Sequence, residues 1–160
     1  MVRLLANPRI IAIIDTREQL PLSLEFLDGE AIPTERGTLA TGDYSIKGLE
    51  NLVAVERKSL PDLMGCIGRD RERFEREIQR MKGIPSRCLV VEASWDEIGR
   101  GEYRSKVNPR AAIGTLIGWM VEGIPIAMVG NHQAAGRFVG RFLSIFASRK
   151  LRELKALVQK

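Results

Sequence analysis

The sequence predicts a single three-layer α/β domain, with a central mixed sheet flanked by helices. Three observations carry that expectation. Apolar, β-branched runs of strand length are interspersed with longer stretches of helical periodicity. The chain has 160 residues, the size of one domain. Its hydrophobic fraction of 44 % is enough for a buried core, and no linker, repeat or low-complexity tract divides residues 1–160.

Arg9 to Asp15 (RIIAIID) reads as a buried strand that ends on an acid. Thr16 to Pro21 turns away. Leu22–Phe26 and Ala31–Glu35 read as two further short strands about an Asp28-Gly29 turn. Gly42-Asp43 opens a strand over Tyr44–Ile46. After a turn through Gly48 and Asn51, a strand over Leu52–Lys58 pairs with it as a hairpin. Ser59 with Asp62 matches a capping box that opens a short helix to about Cys66. Asp70 to Lys82 is a strongly charged helix, ended by Gly83 and Pro85. Arg87–Glu92 (RCLVVE) is a strand, and Ser94 with Glu97 forms a second capping box. Asn108-Pro109 is an N-cap followed by proline at the first helical position, opening a helix to Glu122. Pro125–Val129 is a strand, and Asn131 caps a last helix to about Val158. Along that helix Ala135, Phe138, Val139, Phe142, Ile145 and Phe146 recur at helical spacing as an apolar stripe.

Composition excludes several classes of function. No apolar run is long enough to span a membrane, and Met1–Pro8 lacks the h-region and cleavage site of a signal peptide. An intracellular protein is expected. Cys66 and Cys88 are too few for a zinc site and read as buried thiols. The single histidine, His132, argues against a Ser-His-Asp hydrolase and reads as a surface or capping residue. Trp95 and Trp119 read as core or interface. The net charge is +5, and it is unevenly spread. Residues 131–160 hold Arg137, Arg141, Arg149, Lys150, Arg152, Lys155 and Lys160 against Glu153 alone, a balance of +6 that leaves the first 130 residues at −1. A basic tail on a near-neutral body points either to a polyanion partner or to a solvated helix face.

The chemistry gathers at strand ends. Asp15 closes the first strand, Asp43 opens the hairpin, and Glu56 lies near the end of its second arm. Strand side chains alternate, so Ala54, Glu56 and Lys58 share one face and Val53, Val55 and Arg57 the other. Across the hairpin, Asp43 can lie beside Glu56. Carboxylates grouped in this way can hold Mg²⁺, which prefers oxygen ligands and keeps several waters. A divalent cation lowers the pKa of a bound water and neutralises charge at phosphorus, and a lysine beside it can orient that water or stabilise the developing charge. An acid, about a dozen residues, then Glu-x-Lys is the pattern of PD-(D/E)xK nucleases. A solvated cross-strand Glu56–Lys58 pair is the plainer alternative, but the apolar neighbours on both faces imply a buried strand, where a carboxylate needs a partner.

The full ordered set is more specific. Asp15-Thr16-Arg17-Glu18, then Gly42-Asp43, then Glu56-Arg57-Lys58-Ser59-Leu60-Pro61-Asp62 resembles the nuclease domain of the XPF family of structure-specific DNA endonucleases. The likeness runs over roughly residues 10 to 146. It implies a restriction-endonuclease-like fold and Mg²⁺- or Mn²⁺-dependent hydrolysis of a DNA phosphodiester, with flaps or forks as the substrate class. By the same resemblance Asp43 and Glu56 are metal ligands, joined by the Arg57 backbone carbonyl. Lys58 positions the attacking water, and Asp15 takes a metal directly or through water. Glu18 and Asp62 support these groups. Arg57 and Arg17 contact phosphate or an acid. The resemblance also implies a homodimer, with the stripe of the last helix as a candidate interface, and leaves room for a helicase or clamp partner. The helix-hairpin-helix module and helicase domain found beside this domain in other members are expected to be missing.

Several residues carry two readings. Asp62 is explained by helix capping as well as by chemistry, and Asp15 by N–H bonds in a turn. The helix arginines Arg69, Arg71, Arg73, Arg76 and Arg80, interleaved with acids, suit a solvated salt-bridged surface, or in part a contact with DNA. Arg100, Arg104, Lys106 and Arg110, around the loop before the Asn108 helix, are candidate DNA-backbone contacts. A junction resolvase or restriction-like nuclease shares Asp43, Glu56 and Lys58. A non-catalytic DNA-binding scaffold is the alternative outside enzymes, although scaffold subunits in the family have lost the acids that are all retained here.

Overall fold

Five apolar runs and one charged run pair into a six-stranded mixed sheet. The strands are β1 (Ala12–Asp15), β2 (Thr34–Gly37), β3 (Tyr44–Ile46), β4 (Val53–Ser59), β5 (Ser86–Glu92) and β6 (Ile126–Met128). They lie in the order β2-β1-β3-β4-β5-β6 in the computed structural model, which describes residues 8–158. The expected antiparallel hairpin is β3–β4, while β1 and β2, β4 and β5, and β5 and β6 run parallel. β2 (TERG) is exposed at one edge, and its charges guard that edge against pairing with another chain.

The helices are α1 (Leu60–Ile67), α2 (Arg71–Lys82), α3 (Trp95–Gly99), α4 (Pro109–Val121) and α5 (His132–Val158). The period-2 alternation of β5 divides them between two layers. Cys88 and Val90 face a core shared with Ala135, Val139 and Leu143 of α5, whereas Leu89 and Val91 face one shared with Leu63 of α1, Ile78 of α2 and Leu116 and Trp119 of α4. The α/β/α sandwich is therefore the expected three-layer form. Among the described residues no helix is long and apolar enough to cross a membrane. Lys160 and most of Met1–Pro8 lie outside the described residues.

Local signals at the helix starts act as expected. Ser94 and Glu97 complete a capping box, and the Asn108 side chain accepts from the N–H groups of Arg110 and Ala111. At α1 the Ser59 hydroxyl accepts from Asp62 N–H at 3.3 Å. The reciprocal bond differs from a capping box, because the Asp62 carboxylate accepts from the Ser59 hydroxyl at 2.7 Å rather than from its backbone, which stays in β4.

Two expectations are corrected. Leu22–Phe26 is not a strand, and only a single bridge, Glu25 to Ala31, joins the two arms of that loop. The alternation of Leu22, Leu24 and Phe26 instead serves packing on α5. There Gly136 and Gly140 admit the loop so closely that a Cβ on either would stand 2.2 Å from the carbonyl oxygen of Ser23 or Glu25. The second strand begins at Thr34, not Ala31, because its pairing is set by β1. The stripe on α5 is mostly core, with Ala135, Val139 and Phe146 buried and Phe138 and Phe142 partly covered; Ile145, 44 % exposed, is its open member.

Candidate active site

Asp43 is fixed between two strands before its side chain does anything. Its N–H donates to the Val55 carbonyl and its carbonyl accepts from Asp15 N–H, both at 2.8 Å. Gly42 makes this possible, with φ of +79° and a position where a Cβ would lie 3.1 Å from the Val55 oxygen. The pairing of Tyr44 with Val55 then brings Asp43 beside Glu56. Oδ2 of Asp43 accepts from the Arg57 backbone N–H at 2.8 Å.

Alternation along β4 sends Glu56 and Lys58 toward α1 and α2. Lys58 Nζ donates to Glu56 Oε1 at 2.6 Å and stands 5.0 Å over the Phe74 ring. Burial, and after it the charge of Glu56, push the Asp43 carboxyl up to about 7, against the pull of the Arg57 N–H and Lys58. Burial also raises Glu56, offset in part by Lys58. Burial opposes the charge on Lys58, but the Glu56 carboxylate outweighs it and holds the ammonium above its ordinary range. The lysine is thus a fixed positive charge between two strained acids.

On the other face of β4 the Arg57 side chain is buried. Its Nε and Nη2 donate to Glu18 at 2.9 and 2.7 Å, and its Nη1 donates to Glu92 Oε1 at 2.9 Å. Tyr44 Oη donates to Glu18 at 3.2 Å, and His132 Nδ1 lies 2.8 Å from Glu92 Oε1. Burial works against the Glu18 charge, yet the Arg57 bonds overcome it and hold the carboxyl below its ordinary range. With a side chain 8 % exposed and held by two carboxylates, Arg57 makes the contact with an acid, one of the two contacts expected of it. His132, read from sequence as a surface or capping residue, ends this chain of polar contacts with a side chain 38 % exposed.

Asp15 is 1 % exposed. One of its oxygens accepts from the Arg17 backbone N–H at 2.9 Å and Nε at 2.6 Å; the other accepts from Leu39 N–H at 2.8 Å and Arg17 Nη2 at 3.1 Å. Burial opposes its charge, but these bonds, that of the Arg17 side chain first, hold the carboxyl low. Arg17 itself is two-thirds exposed and points along the wall of a cleft.

That cleft, of about 610 Å³, is lined by Arg17, Asp43, Glu56, Lys58, Asp62 and Glu77, with Arg73 and Phe74 of α2. A second lobe, sharing Arg17, Asp43, Lys58 and Asp62, reaches Glu18, Arg57 and Glu92. The fold thus gathers Asp43, Glu56, Lys58, Asp62, Arg17 and Glu18, while Asp15 stands behind Arg17. Arg100, Arg104, Lys106 and Arg110 do not line either lobe. Arg100 donates to Glu102, and Lys106 borders a separate groove with Arg69 across α1. Glu92 and Glu77 are not marked as site residues by any short-range spacing in the sequence, and Arg73 is marked only as one of five helix arginines; Glu92 reaches the cleft from β5, and Glu77 and Arg73 from α2.

The donor set suits a hard divalent ion. Among the described residues no three His, Cys, Asp or Glu side chains converge as a ready cage. Yet Asp43 uses only Oδ2 and Glu56 only Oε1 in hydrogen bonds with described residues, which leaves one oxygen of each for a ligand in the cleft. Two carboxylates with retained waters are the usual Mg²⁺ arrangement, and a cation would offset the burial and, after it, the Glu56 charge that raise Asp43.

The ERCC4 domain family matches residues 14–142, most of the chain and all of this site up to α5. The chain belongs to the ERCC4 family. Two solved structures share the fold of this ERCC4 domain. XPF from Aeropyrum pernix superposes with a TM-score of 0.67 at 18 % identity, covering 87 % of this chain and 62 % of that one. XPF from Aeropyrum pernix in complex with DNA gives 0.67 at 20 % identity, covering 89 % and 66 %. The ERCC4 chain therefore spans about two thirds of the proteins it superposes on. No curated protein matches it.

Proposed function

We propose that this ERCC4 domain is a Mg²⁺- or Mn²⁺-dependent endonuclease that hydrolyses phosphodiester bonds in branched DNA such as flaps or forks. The observation that carries the reading is the pair of adjacent carboxylates, Asp43 and Glu56, each with one uncommitted oxygen, beside Lys58 in one cleft. These two, with the Arg57 backbone carbonyl, would hold the metal. When bound, the ion activates water and neutralises charge at phosphorus.

The rest is work for the chain. Lys58, kept charged by Glu56, orients the attacking water and faces the charge that develops on the phosphate. Arg17, braced by Asp15, offers its exposed side to a phosphate. Arg57 acts indirectly, since its backbone N–H fixes Asp43 while its side chain ties β4 to Glu18 and Glu92. Asp62 contributes at the cleft rim as well as by capping α1. Lys106 and Arg110, with Arg100 and Arg104, belong to a more distant DNA contact. The open edge of the α5 stripe at Ile145, with Phe138 and Phe142, supports a homodimer. A helicase or clamp as recruiting partner, and an intracellular site of action, complete the reading.

The test is cleavage of labelled flap, fork, four-way junction, duplex and single-stranded DNA with Mg²⁺, Mn²⁺ or EDTA, beside Asp43→Ala. Metal-dependent cutting near a branch, lost in the variant, is the expected result. Symmetric cutting of the four-way junction would replace the flap assignment by a resolvase. Binding without cutting in either metal would overturn the enzyme reading in favour of a scaffold.

A further inference from the structure

The catalytic cleft poses an electrostatic problem for a polyanion. It presents Asp43, Glu56, Asp62 and Glu77, and the side chain of the motif arginine, Arg57, is taken up between Glu18 and Glu92. Lys58 is bound to Glu56. On the β1 side Arg17 remains, held by Asp15. The opposite wall is α2, which carries Arg71, Arg73, Arg76 and Arg80. Of these only Arg73 lines the cleft. Its side chain is 72 % exposed, and its ion pair with Asp70 is long, at 3.7 Å. By contrast Arg80 is paired with Glu77, and Arg71 reaches toward Glu75 and Thr115.

We propose that Arg73 binds a backbone phosphate next to the scissile bond, closing from α2 the clamp that Arg17 begins from β1. The assignment rests on the nuclease reading above. A guanidinium suits the role because it matches phosphate through two parallel N–H bonds and stays charged at any working pH. The two arms differ in readiness. Arg17 is pre-positioned by Asp15 and the Leu39 carbonyl, while Arg73 gives up only a weak contact with Asp70 when DNA arrives. The strand that enters is thereby gripped on both walls, and the carboxylates between them are left to the metal.

The experiment compares the full chain with Arg73→Ala, Arg73→Lys and Arg76→Ala, the last an exposed arginine of the same helix that does not line the cleft. The substrate is a labelled flap carrying one methylphosphonate, a neutral linkage, at each position around the cut in turn. Arg73→Ala is expected to lower kcat/KM about ten- to a hundredfold, the worth of one charge-assisted hydrogen bond. Arg73→Lys recovers part of the loss, and Arg76→Ala stays near wild type. One methylphosphonate lowers wild-type cleavage by a similar factor and leaves Arg73→Ala unaffected, since the partner is already gone. If Arg73→Ala cuts like Arg76→Ala, or its loss multiplies with every methylphosphonate, the assignment is overturned while the nuclease reading stands. If the wild type cuts none of the substrates in either metal, the nuclease reading falls and this inference falls with it.

Discussion

The backbone N–H of Arg57 holds Oδ2 of Asp43 at 2.8 Å, and the Arg57 side chain meanwhile bridges Glu18 and Glu92 on the far face of the same strand. One residue thus ties the candidate metal ligand to a buried ionic network across the sheet. Backbone and side chain serve different contacts because β4 alternates, and the motif Glu56-Arg57-Lys58 turns Glu56 and Lys58 to the cleft under α2 and Arg57 to the ionic network.

The strain on Asp43 has a measurable pH dependence. Its carboxyl keeps its proton to about 7 in the folded state, against an ordinary value of 3.8. Between those values the folded chain holds a proton that the unfolded chain releases, so stability falls as pH rises, by at most about 1.4 kcal/mol per pH unit. Asp15 and Glu18 have lowered values, and their contribution is lost only as pH falls through the acid range. Asp43→Asn should therefore raise Tm above wild type near neutral pH without metal, and the two should converge near pH 4. Mg²⁺ should raise the wild-type Tm more above pH 7 than below it, because the proton must leave before the ligand binds. A scan of Tm against pH for both proteins checks the sign; a wild-type Tm that rises steadily from pH 4 to 7, unchanged in slope by the substitution, would contradict it.

The Arg57 network should prove structural in its energetics. Arg57→Ala leaves Glu18 and Glu92, with side chains 5 % and 11 % exposed, without their counter-charge. Removing one partner of a buried pair costs about 3–5 kcal/mol. Urea unfolding should show that loss, and Glu18→Gln combined with Arg57→Ala should recover part of it. Wild-type stability in Arg57→Ala alone would mean that the network does not brace β4.

Helix α5 and the loop it carries offer a steric test with an internal control. Alanine at Gly140 would place a Cβ 2.2 Å from the Glu25 carbonyl, whereas at Gly114 of α4 nothing lies within 4 Å. Gly140→Ala should cost about 3 kcal/mol or more, the upper range of overpacking. Gly114→Ala should gain up to about 1 kcal/mol of helix propensity. Equal effects in denaturant titrations would rule out the close packing.

The parts of this molecule that were legible in its sequence are those written in short-range code. The β3–β4 hairpin, the cap at Asn108 and the meeting of Asp43, Glu56 and Lys58 all follow from spacing along one or two neighbouring strands. Leu22–Phe26 misled because its alternation is real but serves packing on Gly136 and Gly140, a contact more than a hundred residues away in sequence. Glu92 and His132 were illegible as site support for a related reason. They come from β5 and α5, and only the parallel pairing of β4 with β5 brings Glu92 to Arg57. For Arg57 the sequence leaves phosphate and acid both open as partners, since a motif records which residue is present and not which neighbours neutralise it; the partners are Glu18 and Glu92.

Asp15 is where the structure and the family resemblance can be set against each other directly. All four hydrogen bonds to its carboxylate come from Arg17 and Leu39, and it does not line either lobe of the cleft. This geometry suits holding Arg17 better than binding a cation directly. Asp15→Asn keeps an oxygen for the backbone donors but loses the charge that fixes the guanidinium. Mg²⁺ affinity, read by calorimetry on the DNA-free protein, should stay within about twofold of wild type, while DNA binding weakens about tenfold, the worth of one charge-assisted contact. The salt dependence of DNA binding should also flatten, since a phosphate contact is lost. If Asp15 were instead a direct ligand, Mg²⁺ affinity would fall and DNA affinity in EDTA would be unchanged. The two outcomes are opposite in both measurements, so a single variant decides between brace and ligand.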